Sequence, residues 1–255
     1  MTLPVTEITP LLLTFNEEDN LERTLAPLSW AREIVVIDSG STDRTLEILA
    51  RDPRIRVIHR NFDTHATQWN FGLKHVATDW VLSLDADYEI SREFAAEIAR
   101  LDPPEAVSGY LVSFTYCVFG RPLRATLYPP RICLFRRDRA TYWDEGHTQR
   151  LRIEGEIDAL SGRIHHDDRK PIDRWFRSQI GYARREADHL LSADPAELGR
   201  IDRLRLHAWI APLIMPLYML LARGGEFQRE VQRFQAKRSL TSLPSSLKRA
   251  WIGVM

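Results

Sequence analysis

Two carboxylates spaced Asp-x-Asp close a short apolar run, Trp80-Val81-Leu82-Ser83-Leu84-Asp85-Ala86-Asp87. The run is brief and bounded by polar residues, which predicts a buried strand rather than a helix. Residues two apart on a strand point to the same side. Asp85 and Asp87, just past the end of such a strand, can therefore face one crevice, and in open α/β sheets ligands sit outside the carboxyl ends of the strands. Hard oxygen ligands of this kind suit Mg²⁺ or Mn²⁺, which keep several waters and bridge to phosphates. The same spacing also occurs in ordinary turns and caps, so the neighbouring segments must decide.

Those segments alternate. Residues 8–14, 33–38 and 55–59 are apolar runs of strand length, with Pro10 limiting the first half of the earliest, since proline cannot donate to a ladder. Between them, Leu21, Leu25 and Leu28 recur at helical spacing, and Leu46, Ile48 and Leu49 suggest a second helix. Asn16 is expected to cap the first helix, with Glu17 and Glu18 suiting its N-terminus. Residues 66–76 read as a helix, and Ser91 as the cap of another carrying Phe94, Ile98 and Leu101. Repeated βαβ units imply a parallel sheet with right-handed crossovers. No Gly-x-Gly-x-x-Gly follows the first strand, which argues against an NAD-type site. Pro103-Pro104 break the rhythm; residues 106–119 and 128–137 then read as strands around a Gly120-Arg121-Pro122 turn, and residues 171–191 as a helix.

Three motifs in order carry a resemblance. Thr14-Phe15-Asn16-Glu17-Glu18 with Asn20, Leu21, Arg23 and Leu25 comes first. Glu33-Ile34-Val35-Val36-Ile37-Asp38-Ser39-Gly40-Ser41-Thr42-Asp43 with Thr45 follows, and Leu84-Asp85-Ala86-Asp87 closes the set. Together they resemble a family 2 glycosyltransferase, and more narrowly the branch of lipopolysaccharide core glucosyltransferases, over residues 8 to about 191. The resemblance implies the A-type nucleotide-diphospho-sugar transferase fold, a mainly parallel α/β sheet flanked by helices. It also implies a nucleoside-diphosphate sugar donor, a UDP-sugar by preference, and inversion at the anomeric carbon. Carried over by position, Thr14, Phe15 and Glu17 line the nucleoside pocket and Asp38 meets base or ribose. Gln68 and Asn70 shape the donor pocket, Asp85 contacts ribose or metal, Asp87 binds the metal, and His166 approaches metal or diphosphate. Arg131 or Arg136 can meet phosphate, or can be a solvated strand edge.

An inverting transferase needs a carboxylate to take the acceptor hydroxyl proton. Asp144 and Glu145 are the candidates, with Trp143 as a stacking platform and Asp167 and Asp168 as fallbacks. The chain departs from the branch twice: Cys133 replaces an arginine, and Thr148-Gln149 stand where the branch has His-Glu. Gln149 cannot act as a base, which keeps open a catalytically impaired nucleotide-sugar-binding scaffold. A polyprenyl-phosphate sugar transferase is the other alternative.

Lys+Arg 35 balances Asp+Glu 35, which excludes a generally basic nucleic-acid binder. Cys117 and Cys133 make neither a disulfide framework nor a zinc pattern, so a reducing compartment is expected. The first six residues lack the pattern of a secretory signal. The expected organisation is a donor-binding βα half (1–104), an acceptor-side and catalytic half of the same domain (105–195), and a helical tail (196–255). From Ile201 onward nine basic residues face three acids, and residues 206–222 hold no Lys, Arg, Asp or Glu. An apolar face beside basic groups suits an interface with anionic headgroups. Residues 206–237 are therefore expected to contact the inner-membrane surface, making the protein cytoplasmic and peripheral and placing it near a saccharide or glycolipid acceptor.

Overall fold

The computed structural model describes residues 3–123, 128–145 and 148–194, with the single positions 203 and 206. The chain divides into two compact units, Met1–Lys170 and Pro171–Met255. In the second, the described element is helix α5 (Ile172–Ser192). The expected membrane-contacting segment, 206–237, lies outside the described residues apart from Leu206.

The first unit opens with four parallel strands: β1 (Ile8–Thr14), β2 (Ile34–Asp38), β3 (Ile55–His59) and β4 (Trp80–Asp85). They stand in the order β3-β2-β1-β4. Helices α1 (Leu21–Leu25), α2 (Thr45–Leu49) and α3 (His65–Leu73) make the crossovers. Pro10 lies inside β1 and leaves its mark: β1 meets β4 from Ile8 onward but meets β2 only from Leu11. Pro27 shortens α1, which gives way to a 3-10 turn over Ala26–Leu28. Asn16 does not cap that helix, contrary to expectation. Its φ is 56° and its side chain is turned to a different loop, described below.

The sheet continues through strands that sequence reading divided less well. After β5 (Tyr88–Ile90) and helix α4 (Arg92–Ile98) come β6 (Val107–Val118), β7 (Arg121–Pro122) and β8 (Arg131–Arg136). A separate ribbon pairs β9 (Ala140–Glu145) with β10 (Thr148–Ile153), and β11 (Glu156–His166) returns to the main sheet. The full order among the described residues is β3-β2-β1-β4-β8-β6-β11-β5. β8 runs antiparallel between β4 and β6, so its arginines are not on a solvated edge. Arg136 lies over the Trp80 ring and Arg131 over the Tyr128 ring. The turn after β6 is Phe119–Gly120, one residue earlier than expected, because Arg121 already pairs with Val118.

Alternation along the strands divides the core between the two faces of the sheet. Ile34, Val36, Leu12, Leu82 and Leu84 join Phe94 and Ile98 of α4 on one face. Val35, Ile37, Leu11 and Val81 join Trp69 and Leu73 of α3 and Tyr142 of β9 on the other. α4 is held where expected, with Ser91 Oγ accepting from Phe94 N at 3.1 Å. Gly162 of β11 lies so close to this helix that a Cβ there would fall 2.3 Å from Phe94 Cα.

Candidate active site

β1 has β2 on one side and β4 on the other, while the crossovers leave in opposite directions, so a crevice opens at the carboxyl ends of these strands. The register Thr14↔Asp38 and Leu13↔Asp85 brings the ends of all three strands level. The sequence-predicted residues at this rim fall into two groups: those engaged with the turns and walls around it, and those paired with one another across the sheet.

Asp38 belongs to the first group. It is fully buried. Its Oδ1 accepts from Gly40 N and Ser41 N, both at 2.9 Å, and its Oδ2 accepts from Ser41 Oγ at 2.6 Å and Thr14 Oγ1 at 2.9 Å. Four donors from the chain itself fix the 39–41 turn. Asn16 clamps the next residues, accepting from Thr42 N at 2.7 Å and Asp43 N at 3.3 Å. Gln68 is fully buried, donates to Ser39 Oγ at 2.9 Å and to Arg60 O at 3.1 Å, and accepts from the Arg60 guanidinium. Asn70 donates to Tyr142 O at 2.7 Å and accepts from Tyr142 N at 2.9 Å, pinning α3 to β9. These polar side chains hold the walls of the crevice in place. Phe15, by contrast, leaves its ring half exposed at the same rim.

Asp87 and His166 form the second group. Residues 88–90 pair antiparallel with the end of β11, and the register Tyr88↔His166 sets the preceding Asp87 beside the imidazole. His166 Nε2 lies 3.1 Å from Asp87 Oδ2. Burial alone would raise the Asp87 pKa, but His166, by charge and hydrogen bond, and Lys170 hold it below its ordinary value. Burial likewise works against protonated His166, and Asp87 overrides it, so the histidine is raised. The rings of Tyr88, Tyr116 and Tyr128 surround the imidazole, with centroids 5.1, 4.4 and 5.2 Å away.

A residue missed in the sequence completes this corner. Lys170 Nζ lies 2.5 Å from Glu17 Oε1 and 3.8 Å from Asp168 Oδ1. Burial pushes the Glu17 carboxyl up to about 7; Lys170 opposes that shift without cancelling it, and Asp87 adds to it. Lys170 itself is raised, since Glu17 outweighs the cost of burying the ammonium. Asn20 is the hub: it donates to Glu17 at 3.0 Å and Asp168 at 3.1 Å, and accepts from Arg23 at 2.8 Å and Arg169 N at 3.0 Å. All four of its hydrogen-bonding capacities are used.

Asp167 is unsuited to its fallback role. It is buried, and its Oδ2 accepts from Gly120 N at 2.9 Å, Arg169 Nε at 2.9 Å and Arg23 Nη1 at 3.3 Å. Asp144 is exposed and accepts from Ala66 N at 3.2 Å, at the first turn of α3. Glu145 ends β9, and its side chain lies outside the described residues. Trp143 is 44% exposed. Arg131 is partly buried. Burial works against its charge, and neighbouring Tyr128, Tyr88 and Asp85 more than offset that.

The parallel β3-β2-β1-β4 half, its mixed continuation and the acidic rim define a nucleotide-diphospho-sugar transferase fold of the A type. The profile described as Glycosyl transferase family 2 matches residues 11–149. That is more than half of the chain, and the chain belongs to this family. A glycosyltransferase of uncharacterised activity from Rickettsia bellii is 31% identical over 106 residues, covering 41% of this chain and 36% of the relative. The undecaprenyl-phosphate 4-deoxy-4-formamido-L-arabinose transferase of Edwardsiella ictaluri is 31% identical over 170 residues, covering 61% and 45%. The match thus spans less than half the length of either relative. Among solved structures, S. aureus TarS 1-349 in complex with UDP-GlcNAc aligns with a TM-score of 0.46 at 18% identity, over 73% of this chain and 67% of that one.

Proposed function

We propose that the protein transfers a sugar, with inversion, from a nucleoside-diphosphate sugar (a UDP-sugar by preference) to a hydroxyl of a cell-envelope saccharide or glycolipid such as lipopolysaccharide core. The observation that carries this reading is the Asp87–His166 pair, seated at the rim of the crevice in a family 2 domain. The donor's nucleoside lies over the wall built by Thr14, Phe15 and the Asp38 turn. Its diphosphate meets the corner of Asp87, His166 and Lys170.

A divalent cation, Mg²⁺ or Mn²⁺, would take the place of the proton between Asp87 and His166 at this corner. Two adjacent ligands about 2.1 Å from such an ion stand roughly 3 Å apart, and Asp87 Oδ2 and His166 Nε2 are 3.1 Å apart. No group of three or more acidic, His or Cys side chains gathers for a metal among the described residues. The ion would therefore rest on no more than two of Asp87, Asp85 and His166, and on water and diphosphate oxygens for the rest, as Mg²⁺ commonly does. When bound, it supplies Lewis-acid stabilisation of the departing diphosphate. Lys170 and Arg131 add fixed positive charge where that negative charge develops. Asp144 or Glu145 takes the acceptor proton, and Trp143 offers its face to the acceptor sugar.

Transfer to polyprenyl phosphate is the second reading, supported by the names of the Edwardsiella relative and of a Yersinia pestis relative 32% identical over 112 residues. A thermal-shift screen of nucleotide sugars with and without Mn²⁺ tests the donor, since a ligand that binds only the folded state raises its melting temperature. Release of nucleotide on adding a donor, with a saccharide or a polyprenyl phosphate as acceptor, then distinguishes the two readings. No shift with any nucleotide sugar would overturn both.

A further inference from the structure

The hairpin between β6 and β7 carries the wrong residue for its turn. Val118 pairs with Arg121, which leaves Phe119 and Gly120 as a two-residue turn. Both have positive φ, 47° and 78°. This is the pattern that Asn-Gly ordinarily fills. A bulky aromatic residue is strained there, and such strain gathers at functional positions. The ring gains little from the chain in return, since Phe119 is 70% exposed, and Val118 and Leu123 beside it are each 49% exposed.

Basic side chains stand at the tip. Arg121 is exposed at the same tip, and the Arg169 guanidinium lies against Gly120. Between Ala106 and Pro130 the charged residues are Arg121 and Arg124, with neither Asp nor Glu. Asp167, to which Gly120 N donates, is paired with Arg23 and Arg169. Apolar side chains at a tip flanked by arginines, with no acid along the strand pair, match an anionic lipid surface. The tip is too small for a stable protein interface, which engages roughly 20–30 residues a side.

We propose that this hairpin is an interfacial anchor: Phe119 and Leu123 enter the headgroup–acyl boundary of a bilayer, and Arg121 meets its anionic headgroups. The bond from Gly120 N to Asp167, next to His166, would then hold the crevice at a fixed height above the membrane. The anchor is independent of the transfer reaction and of the donor.

The test is sedimentation of the full chain with vesicles of phosphatidylcholine alone, or with about a third phosphatidylglycerol, at low and high salt. Phe119→Asn with Leu123→Ser removes the apolar tip while giving the turn the residue it favours, so folding is retained. The wild type should partition onto the anionic vesicles, less onto neutral ones, and less at high salt. The double variant should lose about tenfold in partition, and Arg121→Glu should erase the preference for anionic vesicles. Three results would overturn the anchor: no sedimentation of the wild type with either vesicle, equal sedimentation with both, or wild-type partition of the double variant. The last would move any lipid contact elsewhere, residues 206–237 included.

Discussion

His166 Nε2 lies 3.1 Å from Asp87 Oδ2, although the two residues are 79 apart in sequence. The contact exists because β11 runs back to pair with β5, the three-residue strand that immediately follows the Asp-x-Asp motif. The motif therefore gains its partner from the far end of the domain. Each side chain keeps 14% of its surface open, enough for a ligand to reach.

Removing either member should remove the chemistry rather than the fold. Asp87→Ala is expected to lower kcat by about 10²–10³-fold, the scale seen when one preorganised charge-stabilising group is lost. His166→Ala is expected to fall in the same range. A chelator should abolish wild-type turnover and Mn²⁺ should restore it, while Asp87→Ala responds to neither. Turnover in Asp87→Ala close to wild type, with metal still required, would rule out the metal assignment.

The Glu17–Lys170 pair predicts a pH dependence of stability with an unusual sign. Glu17 is raised from 4.5 to about 7. Between these values the folded protein holds a proton that the unfolded chain has released, so stability falls as pH rises through the window. Asp87 runs the other way: its lowered carboxyl contributes at neutral pH, and that contribution is lost as pH falls through the acid range. Lys170 stays charged throughout, its pKa raised from 10.5. Relative to Glu17→Gln, the wild type should lose up to ~3 kcal/mol between about pH 4.5 and 7. Urea midpoints at pH 5 and pH 7.5 measure it; parallel profiles for the two proteins would show that the carboxyl is not held up by burial.

Asn70 separates a structural role from a donor-pocket role. Its amide satisfies both backbone groups of Tyr142, whose ring stacks on Trp69 with centroids 5.5 Å apart. Asn70→Ala leaves a buried N–H and C=O without partners and should cost ~2–4 kcal/mol. Chemical denaturation should show that loss, with donor KM little changed in the folded protein. A raised KM at unchanged stability would return Asn70 to the pocket wall.

The strands β1 to β4 were legible because each is a short apolar run cut off by polar residues, and β2, buried on both faces, is the clearest. The roles of the polar residues were not. Asp38 and Asn16 sit in a motif that reads as ligand-binding or capping, yet their oxygens are consumed by a turn up to 27 residues away. Lys170 carried no signal at all: its partner Glu17 lies at the other end of the domain, and ion pairs over such separations have no period to detect. Arg131 and Arg136 read equally as an edge or a phosphate site, because nothing in 131–136 reveals that the strand would be inserted between β4 and β6.

Asp144 and Glu145 are the acids on which the proton transfer is predicted to fall. Asp144 accepts from Ala66 N, so its carboxylate is steered toward the start of α3 and has a second, structural function. Adjacent residues on a strand point to opposite sides, so only one of the pair can face a given acceptor. Asp144→Asn retains an acceptor oxygen for Ala66 N and should keep the fold, as should Glu145→Gln. One of the two is expected to cost about 10²–10⁴-fold in kcat, the usual contribution of a general base, while the donor-induced thermal shift persists in both. The pH profile of kcat should lose its acidic limb in that variant alone. Wild-type turnover in both variants would remove the β9 acids from the mechanism; loss in both, with the donor shift gone, would indicate a displaced α3 rather than a missing base.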